Sequence, residues 1–152
     1  MLLKPLYRLH FEYSQEWSID ITGEGGTQSQ FFFLATGRCS GSINGSFKGA
    51  NYPQRRTDGT FMPDFNGVIE TDDGAVILKR TTGYGRAYPV GRRQIVGTEI
   101  HLSDDDRYRW LNDTICVSTG EVRTVPGGTE LFLDVAELVW EPLPEVYPPA
   151  ES

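Results

Sequence analysis

Phe65-Asn-Gly-Val-Ile-Glu-Thr71-Asp72-Asp73-Gly74-Ala75-Val-Ile-Leu-Lys-Arg-Thr81 consists of two β-rich runs joined by an acidic turn that ends in glycine. Asp-Gly between two such runs is the strongest short-range signal for a β-hairpin. The stretch therefore sets antiparallel pairing as the local rule, and the chain on both sides follows it. Downstream, Gln94–Leu102 reads as a strand. Thr114–Thr124 and Glu130–Glu141 read as a second hairpin around Pro126-Gly127-Gly128. Upstream, Leu6–Tyr13 alternates, with Tyr7, Leu9, Phe11 and Tyr13 on one face and Arg8, His10 and Glu12 on the other. A further strand-like segment, Trp17–Ile21, ends at the turn residues Gly23–Thr27. The apolar run from Phe31 suggests a strand covered on both faces.

Glycines 37, 41, 45 and 49 recur every fourth residue and read as bends or bulges of a curved sheet. Residues 51–60 read as a loop with a tight turn at Asp58-Gly59, and 83–93 as a second loop rich in glycine and arginine. Ser103–Asp113 breaks the β pattern. Ser103 or Asp104 can cap a short helix, aspartates suit its positive end, and Tyr108, Trp110 and Leu111 fall toward one side. Such a helix is expected to plug one end of a sheet structure. Eight or nine strands joined by sequential hairpins favour a closed barrel over a sandwich, because closure removes edge strands. The expected fold is thus all-β: an antiparallel β-barrel of about eight strands with one short helix near residues 104–111. It forms a single domain over residues 1–141, followed by a proline-rich tail over 142–152.

The totals agree with that class. At 152 residues the chain can bury a core without metals or disulfides, and 17 glycines and 9 prolines suit short strands and turns. A net charge of -7 argues against a nucleic-acid partner. No apolar run is long enough to cross a bilayer as a helix, and the N-terminus lacks a signal-like segment, so no membrane partner and a cytoplasmic location are expected. Cys39 and Cys116 read as buried free thiols ahead of a disulfide. No cofactor and no metal site is expected, because two cysteines and two histidines at unrelated spacings make no zinc signature.

The sequence lacks a phosphate-binding loop, a nucleophile elbow and a paired-histidine metal helix. Four groups of residues remain as carriers of chemistry. Arg55, Arg56, Asp58 and Asp64 could bind an anion and poise an acid, or could be solvated ion pairs. Glu99 and His101 share a strand face, where carboxylate and imidazole could work together or sit at a rim. His10 lies between Arg8 and Glu12 on a polar face that reads as solvent-exposed. Tyr108, Trp110 and Asn112 could wall a pocket or seal the core.

Read in order, Gly49-Ala50-Asn51-Tyr52, Arg56-Thr-Asp58-Gly59, Asp64, Thr71-Asp72-Asp73-Gly74-Ala75-x-Ile77 and Arg107-Tyr108-x-Trp110-Leu111-Asn112, with Gly120 beyond, resemble domain-of-unknown-function family 3237. The resemblance spans about Phe31–Glu141. It implies a compact β-barrel and no established activity. The chain departs from the family pattern at Asn51, where an aspartate is expected, and at Phe65-Asn66-Gly67, where an arginine–tyrosine pair is expected.

Together these readings lead to a barrel holding a small carbonyl-bearing or aromatic metabolite. Its expected chemistry is cofactor-independent isomerisation, cyclisation or lyase action. Asp64 or Asp58 is expected to move the proton and Arg56 to hold an enolate or carboxylate. Tyr52, Tyr108, Trp110, Asn112 and His101 are expected to contact the ligand. The alternative is a non-catalytic binding or assembly protein with a filled barrel, and homo-oligomerisation is open in either case. An interior cavity of several hundred cubic ångströms faced by Asp64 or Asp58 would favour the first.

Overall fold

The structure, a computed structural model, describes residues 1–86 and 93–144. The Asp72-Asp73-Gly74 turn forms as expected. Glu70 pairs with Val76 across it, Gly74 has φ 91°, and the Thr71 hydroxyl oxygen accepts from the Ala75 amide at 2.7 Å. Ten strands follow in chain order: β1 (Leu2–Gly23), β2 (Gly26–Gly41), β3 (Gly45–Asn51), β4 (Gln54–Arg55), β5 (Phe61–Met62), β6 (Asp64–Thr71), β7 (Val76–Arg86), β8 (Gln94–Leu102), β9 (Cys116–Val125) and β10 (Gly128–Val139). Eight of them close a ring in the order β1-β10-β9-β8-β7-β6-β3-β2 and back to β1, every pairing antiparallel. The fold is the expected antiparallel barrel.

Two departures from the expected elements matter. The segments around Leu6–Tyr13 and Trp17–Ile21 are one strand, β1, with an irregularity between Tyr13 and Gln15. That irregularity exchanges the two faces. Tyr13 points inward, while beyond it Glu16 and Ser18 share the inner face of Phe33 and Phe31, their cross-strand partners. Pairing between β1 and β10 stops at Phe11, so the rest of β1 and the start of β2 form an arm that extends the wall at one end. Second, residues 51–60 are not simply a loop. β4 and β5 form a small ladder that bridges from Ser29 and Gln30 of β2 to Gly85 of β7, closing the wall where β3 and β6 run out.

The other end is plugged by Ser103–Asp113, as expected, though not by a capped helix. Residues 106–108 are turn, and a five-residue 3-10 turn, Arg109–Asp113, completes the segment. Neither Ser103 nor Asp104 caps it. Ser103 is taken up by the strand, its hydroxyl donating to the Val76 carbonyl at 2.8 Å, and Asp105 instead accepts from the Arg107 amide at 2.9 Å. A short polar side chain that satisfies nearby backbone competes with helix, which explains the tighter turn. Leu111 is fully buried and is the plug's apolar contact with the core.

Of the spaced glycines, 37, 45 and 49 are not bulges, since the β2–β3 register runs unbroken from Phe33–Asn51 to Cys39–Gly45, whereas Gly41, with φ 139°, stands where the chain bends out of β2. Gly49, like Gly67 on β6, makes room for a phenylalanine. A Cβ on Gly67 would lie 2.5 Å from the Phe47 ring, and one on Gly49 would lie 2.6 Å from the Phe65 ring. Aromatic side chains covering glycines on the neighbouring strand let a small barrel curve without losing its interior packing. Both cysteines are buried and free. Residues 87–92, which include Tyr88 and Pro89 of the expected second loop, and tail residues 145–152 lie outside the described residues. Among the described residues no helix is long and apolar enough to cross a membrane.

Candidate functional site

Strand alternation divides the barrel interior into three layers. At the plugged end, Ile43, Ile69, Ile77, Val135 and Leu111 form an apolar seal. Above it lies a polar belt. Lys79 and Glu99 form an ion pair with side chains 2% and 0% exposed, and the Thr81 hydroxyl donates to the same Glu99 oxygen while accepting from Lys79 at 2.6 Å. His101 Nε2 and the Tyr7 hydroxyl share a hydrogen bond of 2.7 Å across the interior. Burial, and then the neighbouring Lys79 charge, push the His101 pKa down to about 3, so the ring is neutral. Burial likewise raises Tyr7 well above the usual phenol range. Glu99 and His101 therefore share a face, as expected, but inside the barrel rather than at a rim.

Above the belt the barrel opens into a cavity of about 500 Å³. Its wall is a run of rings: Phe61 stacks on Phe31 at 5.3 Å, Phe31 lies 5.3 Å from Phe33, Phe33 lies 4.4 Å from Tyr13, and Phe11 packs against Phe65 at 5.4 Å. Ile95, Val122, Leu131 and Leu133 line the opposite side, and Thr81 joins the cavity to the polar belt. The polar groups in this apolar space are few. Asn51 donates to the Tyr13 hydroxyl oxygen at 3.1 Å and accepts from the Asp64 amide at 3.1 Å. Burial pushes the Tyr13 pKa up to about 12, against the smaller opposing effect of the Asn51 hydrogen bond. The phenol therefore keeps its proton, and with its oxygen already accepting from Asn51, that proton can be donated to a ligand. Glu16 from the arm, Arg55 from β4 and Arg93, immediately before β8, complete the mouth. Apolar walls with a few convergent polar groups are the usual form of a small-molecule site.

Of the residues expected to form the site, none except the belt residue His101 lies inside the barrel. Asp58 is on the surface, where the Arg56 guanidinium and then the Thr60 amide hold its carboxyl down to about 2. Arg56 itself lies over the outer ring of Tyr84, 5.9 Å from its centre. Asp64 faces Arg80 at 3.4 Å, and with Tyr52 and Tyr84 it borders a broad outer groove of about 940 Å³. Tyr108, Trp110 and Asn112 are at the plugged end. The Tyr108 hydroxyl donates to Asp73 at 2.7 Å, Asn112 brackets the Ser103 backbone from both sides, and Trp110 is 43% exposed. Tyr108 fastens the plug to the β6–β7 turn, Asn112 ties it to the end of β8, and none of the three lines the cavity. His10 is on the outer face, stacked on Phe132 and 3.4 Å from Glu130.

The residues of the cavity missed in the sequence are Tyr13, Glu16, Asn51 and Arg93, while Arg55 was grouped with its neighbours without being separated from Arg56. Alternation along the two-residue β4 turns Arg55 inward and leaves Arg56 outside. Among the described residues no three of His, Cys, Asp or Glu gather as a metal-ligand cluster.

The same architecture recurs among solved structures. A β-barrel-like protein from Acinetobacter baumannii AYE aligns at TM-score 0.72 and 23% identity, covering 90% of this chain and 94% of that one. A protein of unknown function from Clostridium acetobutylicum ATCC 824 aligns at TM-score 0.76 and 18% identity, covering 91% and 100%. An enzyme from Penicillium herquei aligns at TM-score 0.65 and 20% identity, covering 88% and 93%. No curated protein matches in sequence. The sequence model of the family described as "Protein of unknown function (DUF3237)" matches residues 1–138, and the chain belongs to that family.

Proposed function

We propose that this barrel binds a small carbonyl-bearing or aromatic metabolite in its open end and catalyses a cofactor-independent acid–base reaction on it, an isomerisation, cyclisation or lyase step. The observation that carries the reading is the cavity itself: about 500 Å³, walled by aromatic rings, with a hydroxyl donor, an amide and two guanidinium groups directed at it. Reactions of this type need an excluded volume, a group to move a proton and a positive group to hold the developing oxyanion. Glu16 is the carboxylate at the cavity and takes the proton-carrying role expected of Asp64 or Asp58. Tyr13 orients the carbonyl oxygen. The fold is shared with an enzyme from Penicillium herquei, which is compatible with catalysis in this barrel and names no reaction.

The competing reading, a non-catalytic binder, uses the same cavity and differs only in turnover. A barrel filled by its own side chains fits the plugged end and the polar belt but not the open end. A cytoplasmic protein with a small-molecule ligand, and with neither nucleic acid nor membrane as partner, completes the proposal. Sedimentation analysis decides whether it works as a homo-oligomer.

The test is native mass spectrometry of the protein recovered from cell extract. Wild type should retain a small molecule that Ile95→Trp, which fills the cavity, does not. Glu16→Gln should keep the ligand and lose its conversion. Retention unaffected by Ile95→Trp but abolished by Tyr84→Ala in the outer groove would place the ligand elsewhere and overturn the proposal.

A further inference from the structure

The chain carries more acidic than basic residues, 21 against 14, and most of its exposed arginines find carboxylates. Arg8 pairs with Asp134, Arg38 with Asp72, Arg56 with Asp58 and Arg107 with Asp73 and Asp105. Arg55 and Arg93 do not. Among the described residues neither has a carboxylate within ion-pair distance, although both stand at the mouth of the cavity. Instead they share an aromatic ring. The Arg93 guanidinium carbon lies 4.2 Å from the centre of Phe61, and that of Arg55 lies 5.8 Å from Phe61 and 5.8 Å from Phe31. A guanidinium lying on a ring face keeps its in-plane N–H groups free at the edge, where they match a carboxylate.

The two arginines are not equivalent. Arg55 donates to the Ser29 hydroxyl at 3.0 Å, and Ser29 in turn donates to Asp20 at 2.6 Å, so Arg55 is balanced at one remove. Arg93 has no such chain. Burial, and the like charge of Arg55, lower its pKa, against the opposing influence of Tyr13. An opposite charge placed there would relieve both. Glu16 on the arm limits the site in the other direction, because its carboxylate repels a second negative charge.

We infer that the cavity is built for an aromatic monocarboxylate, with the carboxylate on Arg93 and secondarily Arg55, and the ring in the Phe31–Phe33–Phe61 wall. This rests on the open end being a ligand site, and it adds the ligand's class. The Tyr13 hydroxyl, held by Asn51, faces the same space and suits an oxo or hydroxyl substituent on the ring. Dianions are disfavoured by Glu16. A neutral aromatic compound of the same shape fills the volume but leaves both guanidiniums unanswered.

The experiment compares 4-nitrobenzoate with its neutral isostere 4-nitrobenzamide by isothermal titration calorimetry. Wild type should bind the carboxylate about tenfold or more tightly than the amide, the difference expected of a charge-assisted pair over a neutral contact. Arg93→Gln should weaken carboxylate binding far more than amide binding and so erase that preference. Arg55→Gln should reduce it in part, and Glu16→Gln should increase it. Equal binding of both probes by wild type, or a preference that survives Arg93→Gln, would overturn the inference while leaving the cavity as a ligand site. Binding of neither probe would overturn the ligand-site reading and this inference with it.

Discussion

Mild acid should destabilise this barrel through one buried side chain before its surface carboxylates begin to matter. His101 is 1% exposed, its ring is held by Tyr7, and Lys79 lies beside it. Its pKa in the fold is down to about 3, whereas an unfolded histidine titrates at ~6.5. Because the folded value is the lower one, the unfolded chain binds the proton first. The stability that follows from a neutral His101 is complete above about pH 6.5 and is lost as the pH falls from there toward 3. At ~1.4 kcal/mol per pH unit, a step to pH 4.5, roughly two units below the unfolded value, removes on the order of 3 kcal/mol. That is a large fraction of the ~5–15 kcal/mol of a typical domain. Asp58 and Asp105, held down to about 2 by Arg56 and Arg107, contribute little between pH 7 and 4.5, since their linkage begins only where unfolded carboxylates titrate, at about pH 4. Urea unfolding followed by tryptophan fluorescence at pH 7 and 4.5 measures the effect. Wild type should lose much of its stability, and His101→Gln, less stable at pH 7, should lose far less on acidification. An equal loss in both proteins, or none in wild type, would refute the assignment.

Breaking the Lys79–Glu99 pair from one side should be costly. Lys79→Met leaves a buried carboxylate unpaired and should lose ~3–5 kcal/mol, while the double change Lys79→Met with Glu99→Leu should recover most of it. A double-mutant cycle by chemical denaturation checks this. At the plug, Leu111→Ala should cost ~2–5 kcal/mol by calorimetry and leave ligand binding at the far end of the barrel unchanged. Burial pushes the Cys39 thiol up to about 12 and the Cys116 thiol up to about 11. Both should therefore resist a thiol reagent in the native protein at pH 8 and react together on unfolding.

The local rules carried the fold. An acidic Asp-Gly turn between β-rich runs produced the β6–β7 hairpin, and alternation alone placed β8 at Gln94–Leu102, the bounds observed. Alternation failed where the chain itself breaks it. The irregularity after Tyr13 swaps the faces of β1, so Trp17, Ile19 and Ile21 point outward and Glu16 and Ser18 inward, a change invisible without a partner strand. The site was harder to read because its polar groups come from five separated places, Tyr13, Glu16, Asn51, Arg55 and Arg93, none of which stands out locally. Arg55 and Arg56 differ in role only because Arg55 belongs to a two-residue strand whose existence depends on pairing with β2 and β5. The aspartates that drew attention in the sequence are surface ion-pair partners. The inward parity of Lys79, Thr81, Glu99 and His101 was available in the sequence, but charged residues on a strand face read more readily as solvent than as a paired belt.

A ligand should bind in the open end of the barrel, and not in the outer groove or at the plug. Methyl NMR of the full chain titrated with 4-nitrobenzoate tests it most directly. Saturable shifts are expected at Ile95, Val122, Leu131 and Leu133 inside the cavity, with Val96 and Val117 on the outer groove and Leu111 in the plug unmoved. Shifts confined to Val96 and Val117, or absent from the cavity methyls at saturating probe, would contradict it.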